Sequence, residues 1–232
     1  MLASLAMDSK LKTSTNSFLG QLWSETIKRY GSSLAQTTLV LPSTRAVTKL
    51  KEIAAAQHEQ LMLPLLTTMG SYSDSFLNSR SANALERLCI LFNCFEEVYG
   101  NYKAGLGQFQ SLGKTILADF NELDLALVDP ELAFKNLADL QDLEAWGNKE
   151  NLSTELEQHN DFWQKLLPLH SLYNQRLKEA ELHDTGSKFR SLATTNIKPV
   201  GQVILAGFNI MSRAEQIFAQ KLIGNKGMLV LE

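Results

Sequence analysis

Apolar side chains recur at every third or fourth position along several stretches of the sequence, which is the spacing of one face of an α-helix. The first stretch, Asn16–Tyr30, is followed by a glycine, a residue type that commonly ends helices. A second predicted helix, Ser43–Gln57, has Ser43 or Thr44 as its expected N-cap. A further amphipathic helix is predicted over Met211–Leu222.

Four short apolar runs near the two ends of the chain have the length of buried strands rather than of helices. They are Thr37–Leu41, Leu61–Leu66, Gln202–Ala206 and Met228–Leu231. Pro64 would confine the second strand to the edge of a sheet, because proline donates no backbone hydrogen bond. Strands that alternate with helices predict an α/β fold, in which helices flank a parallel sheet.

The middle of the chain carries helical periodicity and no strand pattern. Its predicted helices are Ala82–Tyr99, Gly113–Leu127, Pro130–Trp146 and Ser153–Leu182. Asp129 is the expected N-cap of the third of these helices. Pro168 is expected to kink the fourth.

This order of elements predicts one sheet domain interrupted by a large insertion. Residues 1–72 and 196–232 are expected to form the sheet domain, and residues 73–195 an all-helical insertion. Because the last predicted strand reaches the final residue, Glu232, we expect the chain to be a fragment of a longer protein.

Charge is distributed unevenly along the chain, whose formal net charge is −3. Residues 1–60 hold seven Lys or Arg against four Asp or Glu, residues 61–190 hold 11 against 19, and residues 191–232 hold four against two. The different charge of the middle supports an insertion and argues against the middle as a general phosphate-binding surface. We expect no membrane span, since no apolar run approaches the roughly 20 residues required, and a cytoplasmic location. Cys89 and Cys94 are expected to be buried free thiols.

One short segment imitates a phosphate-binding loop. Gly113-Lys114-Thr115 carries the end of that motif, but the loop requires a glycine five residues before the second one, and Gly107 lies six residues before it. The preceding Asn101–Gln110 is polar and does not have the pattern of a strand. We therefore interpret Gly113 as part of a helix start.

Other residues that could carry chemistry have simpler interpretations. Carboxylates that could hold Mg²⁺ occur at Asp119, Glu122, Asp124, Asp129 and Glu131, but they fall in helical segments, and a solvated helix end explains them. The histidines show no metal-ligand spacing; they are His58, His159, His170 and His183. Helical spacing favours a core position for the aromatic residues Phe92, Phe95, Tyr99 and Tyr102. We expect no bound metal.

Several segments together resemble a known family. Leu39–Glu52 (LVLPSTRAVTKLKE) resembles the motif that follows the nucleotide loop in superfamily-one helicases, and Leu66–Ser71 resembles the next motif of those proteins. The stretch from Asp119 to Trp146 resembles the helical insert of AddB-like proteins of the PD-(D/E)XK nuclease family. Val203–Asn209 resembles that family's Walker B strand.

This resemblance implies a RecA-like (P-loop NTPase-type) sheet that contacts the backbone of single-stranded DNA. The implied contact residues are Ser43, Thr44, Arg45, Thr68 and Ser71. A phosphate clamp of this kind combines backbone amides at a helix N-terminus with an arginine. The simpler alternative for Arg45 is a surface charge paired with a neighbouring glutamate. Implied partners are broken-end DNA and an AddA-like motor subunit, within a helicase–nuclease that repairs double-strand breaks.

The departures from this family imply that the chain does not hydrolyse ATP. A working helicase strand ends in Asp-Glu, which serve Mg²⁺ and the attacking water, whereas Ala206 and Gly207 occupy those positions. Lys12-Thr13 stands where a phosphate loop should end, without the surrounding glycines. We therefore expect neither ATP nor Mg²⁺ as a cofactor. The family's exonuclease domain would lie C-terminal to this region.

Two other functions remain open from the sequence. The chain could be a degenerate P-loop ATPase that uses Lys12 or Lys114, or a helical protein-interaction module without affinity for DNA. ATP binding that depends on either lysine would favour the first alternative. Failure to bind single-stranded DNA even at low salt would favour the second.

Overall fold

The computed structural model describes residues 17–57, 62–100, 105–135, 162–224 and 228–230. Within these ranges the chain divides into two compact units. The sheet unit contains the residues up to Phe76, together with Thr195–Met211 and those from Glu215 onward. The helical unit contains Leu77–Thr194 and Ser212–Ala214.

Helices and strands alternate along most of the described residues. In chain order, the main elements are α1 (Phe18–Tyr30), β1 (Thr37–Leu41), α2 (Thr44–Ala56), β2 (Leu65–Thr68), α3 (Met69–Asp74), β3 (Arg80–Ser81), α4 (Ala84–Tyr99), α5 (Leu106–Ala126), α6 (Leu166–Glu179), β4 (Leu182–His183), α7 (Thr185–Thr194), β5 (Gln202–Ala206), α8 (Arg213–Ile223) and β6 (Met228–Val230). A 3₁₀ turn, Gly31–Gln36, links α1 to β1.

The sheet unit is built on four parallel strands in the order β2-β1-β5-β6. The prediction of an α/β fold with a parallel sheet is therefore confirmed. All five residues of β1 are buried, as expected for a central strand covered on both faces. Helices α1 and α2 pack on one face, where Trp23 and Leu50 belong to the same apolar cluster as alternate residues of β1 and β5. The indole Nε1 of Trp23 donates to Gln57 Oε1 over 2.9 Å.

The helical unit has its own apolar core, formed mainly by α4, α5 and α6. The predicted aromatic core is confirmed for Phe92, Phe95 and Tyr99, while Tyr102 lies outside the described residues. Phe95 stacks on Tyr99 with ring centroids 4.1 Å apart. Asn83 caps α4, and its side chain accepts hydrogen bonds from the backbone of the first turn.

Some predicted elements differ from those observed. The second strand is β2, at Leu65–Thr68 rather than Leu61–Leu66, although it does lie at the sheet edge. The insertion is not all-helical, because β3 and β4 form a two-residue parallel pair. The predicted helix is interrupted at Lys165, in the turn before Pro168, so Pro168 lies in the first turn of α6, where a missing N–H is tolerated.

Helix α5 also begins earlier than predicted, at Leu106 instead of Gly113. Residues 130–135 are helical after Asp129, whose Oδ1 accepts the N–H of Glu131 over 3.0 Å, so the predicted cap is confirmed. The rest of that predicted helix lies outside the described residues. Both cysteines are free thiols, as predicted. Cys94 is buried, whereas Cys89 is half-exposed, so the predicted burial is wrong for Cys89. In the described part of the chain, no helix is long and apolar enough to span a bilayer.

Candidate nucleic-acid interface

The carboxyl ends of the parallel strands define one edge of the sheet unit. Leu41 at the end of β1 pairs with Thr68 at the end of β2, and Ala206 at the end of β5 pairs with Val230. From β1 the chain crosses first to β2 on one side and only later to β5 on the other. Open parallel sheets bind ligands in the crevice at such a reversal. The seven positions singled out by the helicase resemblance all lie at this edge.

The N-terminus of α2 lies directly after β1. Ser43 has an extended backbone, and its Oγ accepts the N–H of Ala46 over 3.2 Å, which caps the 13-residue helix. The next two amides, those of Thr44 and Arg45, make no hydrogen bond to the described residues. This end of α2 therefore presents free N–H groups and the positive end of a helix dipole.

Arg45 is exposed at this helix terminus. Its guanidinium makes no ion pair or hydrogen bond with the described residues, so the alternative of a pair with a neighbouring glutamate does not hold within that part of the chain. Glu52, the glutamate on the same helix, instead pairs with Lys49 over 2.9 Å. The Arg45 charge and the free amides together form a cationic donor group at one point of the sheet edge.

Thr68 and Ser71 form a hydroxyl pair at the end of β2, the strand next to β1 in the sheet. Thr68 Oγ1 accepts the N–H of Ser71 over 3.2 Å and donates to Ser71 Oγ over 3.1 Å. The Thr68 hydroxyl therefore caps α3, whereas the Ser71 hydroxyl can still donate a hydrogen bond to a ligand. Since α3 has only six residues, its contribution to this edge is these side chains rather than a helix dipole.

The end of β5 lacks the carboxylates of an ATPase strand. Ala206 is fully buried, and Gly207 follows it with a φ of 76°, a conformation that favours glycine. A Cβ on Gly207 would lie 3.3 Å from Cε1 of Phe18, so that ring lies close over this turn. A depression of about 280 Å³ occurs here. Its lining residues carry no charged side chain among the described residues: Ser17, Phe18, Leu19, Leu41, Pro42, Ala46, Ala206 and Gly207.

The candidate phosphate loop that the structure describes belongs to the helical unit and not to the sheet unit. Lys12-Thr13 lies outside the described residues. Gly113-Lys114-Thr115 lies in the middle of α5, in the helical unit, rather than at a helix start as predicted. Backbone amides inside a helix are bonded to carbonyls one turn earlier and cannot wrap a phosphate. Gly113 is instead a packing residue, because an added Cβ would lie 2.6 Å from both Leu88 Cδ1 and Phe109 Cε1.

The acidic residues of α5 do not converge on a metal. Asp119 and Glu122 are exposed, whereas Asp124 is buried, with its Oδ1 3.3 Å from both His170 Nε2 and Arg190 Nε. Those approaches have ion-pair distances but not hydrogen-bond geometry. No group of three or more potential metal ligands occurs in the ranges that the structure describes.

Sequence reasoning missed this buried polar cluster and the one beside it. Asp184 precedes α7 and accepts the N–H of Ser187 over 2.8 Å and the hydroxyl of Tyr173 over 3.1 Å. Burial, followed by the nearby Asp184 charge, raises the pKa of Tyr173. Asp184 and Tyr173 each have a hydrogen-bond partner, which favours a structural role for this pair. The Asp-x-x-Ser spacing before α7 was the only sequence signal that could have revealed part of it.

Comparison with known proteins adds no family assignment. No protein-family model matches the chain, and no curated protein matches it significantly.

Proposed function

We propose that this chain is a RecA-like, ATPase-inactive helicase module of an AddB-like subunit in a DNA double-strand-break repair helicase–nuclease. Its role is to bind single-stranded DNA and to dock on an AddA-like motor subunit in the cytoplasm. The observation that carries the proposal is the exposed Arg45 beside two free amides at the start of α2. The family itself is proposed from the resemblance of the sequence motifs.

The chemistry of this edge suits a phosphodiester backbone. Phosphate oxygens accept hydrogen bonds from amides at a helix N-terminus, and an arginine beside them adds a charged donor. The Ser71 hydroxyl supplies a further donor at the same edge of the sheet, and hydroxyl contacts of this kind position a strand without reading its sequence. Binding through these groups is therefore expected to be independent of base sequence.

The end of β5 supports a role without ATP hydrolysis. Hydrolysis by a helicase requires a carboxylate for Mg²⁺ and another for the attacking water. Ala206 and Gly207 can supply neither, and the depression at this point has an apolar lining. The proposal therefore assigns no catalytic step to this chain. Docking on a motor subunit fits the acidic middle of the sequence, which would complement a basic surface of the partner.

Titration of a labelled single-stranded oligonucleotide at low salt tests the proposal. The wild-type chain is compared with Arg45→Ala and with Lys51→Ala, in which an exposed cation six residues further along α2 is removed. Six helical residues correspond to a rise of roughly 9 Å, so the control keeps the same helix and the same charge change. We expect Arg45→Ala to weaken binding roughly five- to tenfold and Lys51→Ala to have a much smaller effect.

A parallel titration with ATP separates the alternatives. Binding of DNA that depends on Arg45, without binding of ATP, is the expected result. Absence of DNA binding at low salt would contradict the proposal and favour a protein-interaction module. Hydrolysis of ATP that is lost in Lys114→Ala or Lys12→Ala would favour a degenerate ATPase instead.

A further inference from the structure

A second cavity, of about 330 Å³, lies within the helical unit between α4, α5 and the start of α7. It is lined by Ala84, Arg87, Leu88, Lys114, Leu117, Ala118, Asn121 and Thr185. Two of these side chains are cationic, one is an amide, one is a hydroxyl, and none is a carboxylate. The cavity is therefore locally basic, although the middle of the sequence as a whole is acidic.

Two glycines bring the polar lining residues together. Gly113 lets α4 approach α5 closely, since a Cβ there would overlap Leu88. Gly186 lets the start of α7 rest on α5, because its own Cβ would lie 3.1 Å from the backbone oxygen of Asn121. The first contact sets α4, which carries Arg87, against α5, which carries Lys114. The second brings Thr185 close to Asn121.

The polar side chains of this cavity make no hydrogen bond or ion pair in the described part of the chain. Arg87 Nε is buried and makes no hydrogen bond. The Lys114 ammonium, the Asn121 amide and the Thr185 hydroxyl likewise make no hydrogen bond or ion pair with the described residues. Leaving a buried donor of a charged group unsatisfied costs more than the bond itself contributes. Such groups converging on one cavity are typical of a binding site.

Two of the carboxylates nearest in sequence, those of Glu86 and Asp184, are engaged elsewhere, whereas Asp119 and Glu122, which follow lining residues of α5, are exposed and do not line the cavity. Glu86, next to Arg87, accepts two hydrogen bonds from Arg80 and one from the N–H of Asn83. Asp184, next to Thr185, accepts from a tyrosine hydroxyl and a serine amide. Neither lines the cavity, so an anion in it would not directly face these charges.

We propose that this cavity binds a phosphate group, held by Arg87 and Lys114 with Asn121 and Thr185 as additional donors. The arginine supplies planar donors that match phosphate oxygens, and the lysine adds a point charge. The phosphate group belongs either to a free phosphate compound or to a nucleic-acid strand, which offer the same oxygens. The cavity belongs to the helical unit, so the inference does not depend on the proposed role of Arg45 in the sheet unit.

Calorimetric titration of the full chain at low salt tests the site, with three probes. The probes are inorganic phosphate, a 5′-phosphorylated oligonucleotide and the same oligonucleotide without that phosphate. The oligonucleotide arms use the Arg45→Ala background, which removes the cation of the other surface. Each probe is titrated into the unsubstituted cavity, into Lys114→Gln, into Arg87→Gln and into the control Lys135→Gln. Lys135 is an exposed lysine that does not line the cavity.

The expected result is binding of at least one probe that Lys114→Gln and Arg87→Gln each weaken about tenfold or more, with Lys135→Gln unchanged. Binding of inorganic phosphate identifies a free phosphate compound as the source, whereas binding of an oligonucleotide alone identifies a strand. The inference is overturned if no probe binds up to about 10 mM, or if Lys114→Gln leaves binding unchanged. Lys114 is exposed, so its substitution decides the matter even if Arg87→Gln disturbs folding.

Discussion

Replacing Gly186 by alanine should destabilise the helical unit through a clash between α7 and α5. The added Cβ would lie 2.9 Å from Asp124 Cβ, 3.0 Å from Asn121 Cα and 3.1 Å from Asn121 O, where ordinary contacts are 3.4 Å or more. Two of those atoms are backbone and cannot move aside as the end of a side chain can. Overpacking of this kind costs about 1–3 kcal/mol, which exceeds the gain of up to about 1 kcal/mol from alanine's helix propensity.

Gly107→Ala is the matched control for this substitution. Gly107 is also the second residue of its helix, α5, but it is exposed, and a Cβ there would meet nothing within 4 Å. We expect Gly107→Ala to be neutral or slightly stabilising in urea unfolding followed by circular dichroism, and Gly186→Ala to lose about 1–2 kcal/mol. Free energies of unfolding that agree within about 0.5 kcal/mol, the usual range for a surface substitution, would refute the close packing of α7 on α5.

Three further predictions concern the helical unit. The Arg80 guanidinium and the cap at the start of α4 lower the pKa of Glu86 to about 2. Glu86→Gln should therefore lower the melting temperature at neutral pH. This difference should shrink as the pH falls from about 4.5 toward 2, where Glu86 becomes protonated in the folded as well as the unfolded chain. A loss that persists unchanged at pH 2 would contradict the ion pair. Burial raises the pKa of Cys94 to about 11, so a thiol reagent at pH 8 should modify half-exposed Cys89 first. Mass mapping that finds Cys94 modified first in the folded chain would contradict this prediction. Asp124→Ala, which removes the buried carboxylate beside His170 and Arg190, should cost about 3 kcal/mol in urea unfolding, and a cost below about 1 kcal/mol would argue against the buried cluster.

The strands β1 and β5 could be predicted from sequence with their observed bounds. Each is a short apolar run, and a residue that cannot continue a central strand follows it: Pro42 after β1, and Gly207, with its positive φ, after β5. The predicted start of the edge strand β2 is wrong by four residues, since Leu61–Leu66 and Leu65–Thr68 are both apolar enough. Only the pairing with β1 places the strand at Leu65–Thr68, and the local sequence pattern does not show which residues pair.

The start of α5 is hard to recognise in the sequence because Gly107 and the polar residues after it weaken the helical periodicity, although Phe109 in that turn is fully buried. The cavity around Arg87 and Lys114 could not be predicted either, because its residues come from three helices whose contacts depend on glycine packing. By contrast, the cap at Ser43 was predictable, because a hydroxyl residue directly before an amphipathic stretch is a local signal.

The salt dependence of DNA binding tests the central claim most directly. The logarithm of the association constant for single-stranded DNA falls linearly with the logarithm of salt concentration, with a slope of about −0.7 for each phosphate contacted. If Arg45 holds a phosphate, Arg45→Ala should bind with a slope shallower by about 0.7, while Lys51→Ala should leave the slope much closer to that of the wild type. Equal slopes for the wild type and Arg45→Ala, or no binding at all at low salt, would contradict the proposed DNA path at the start of α2.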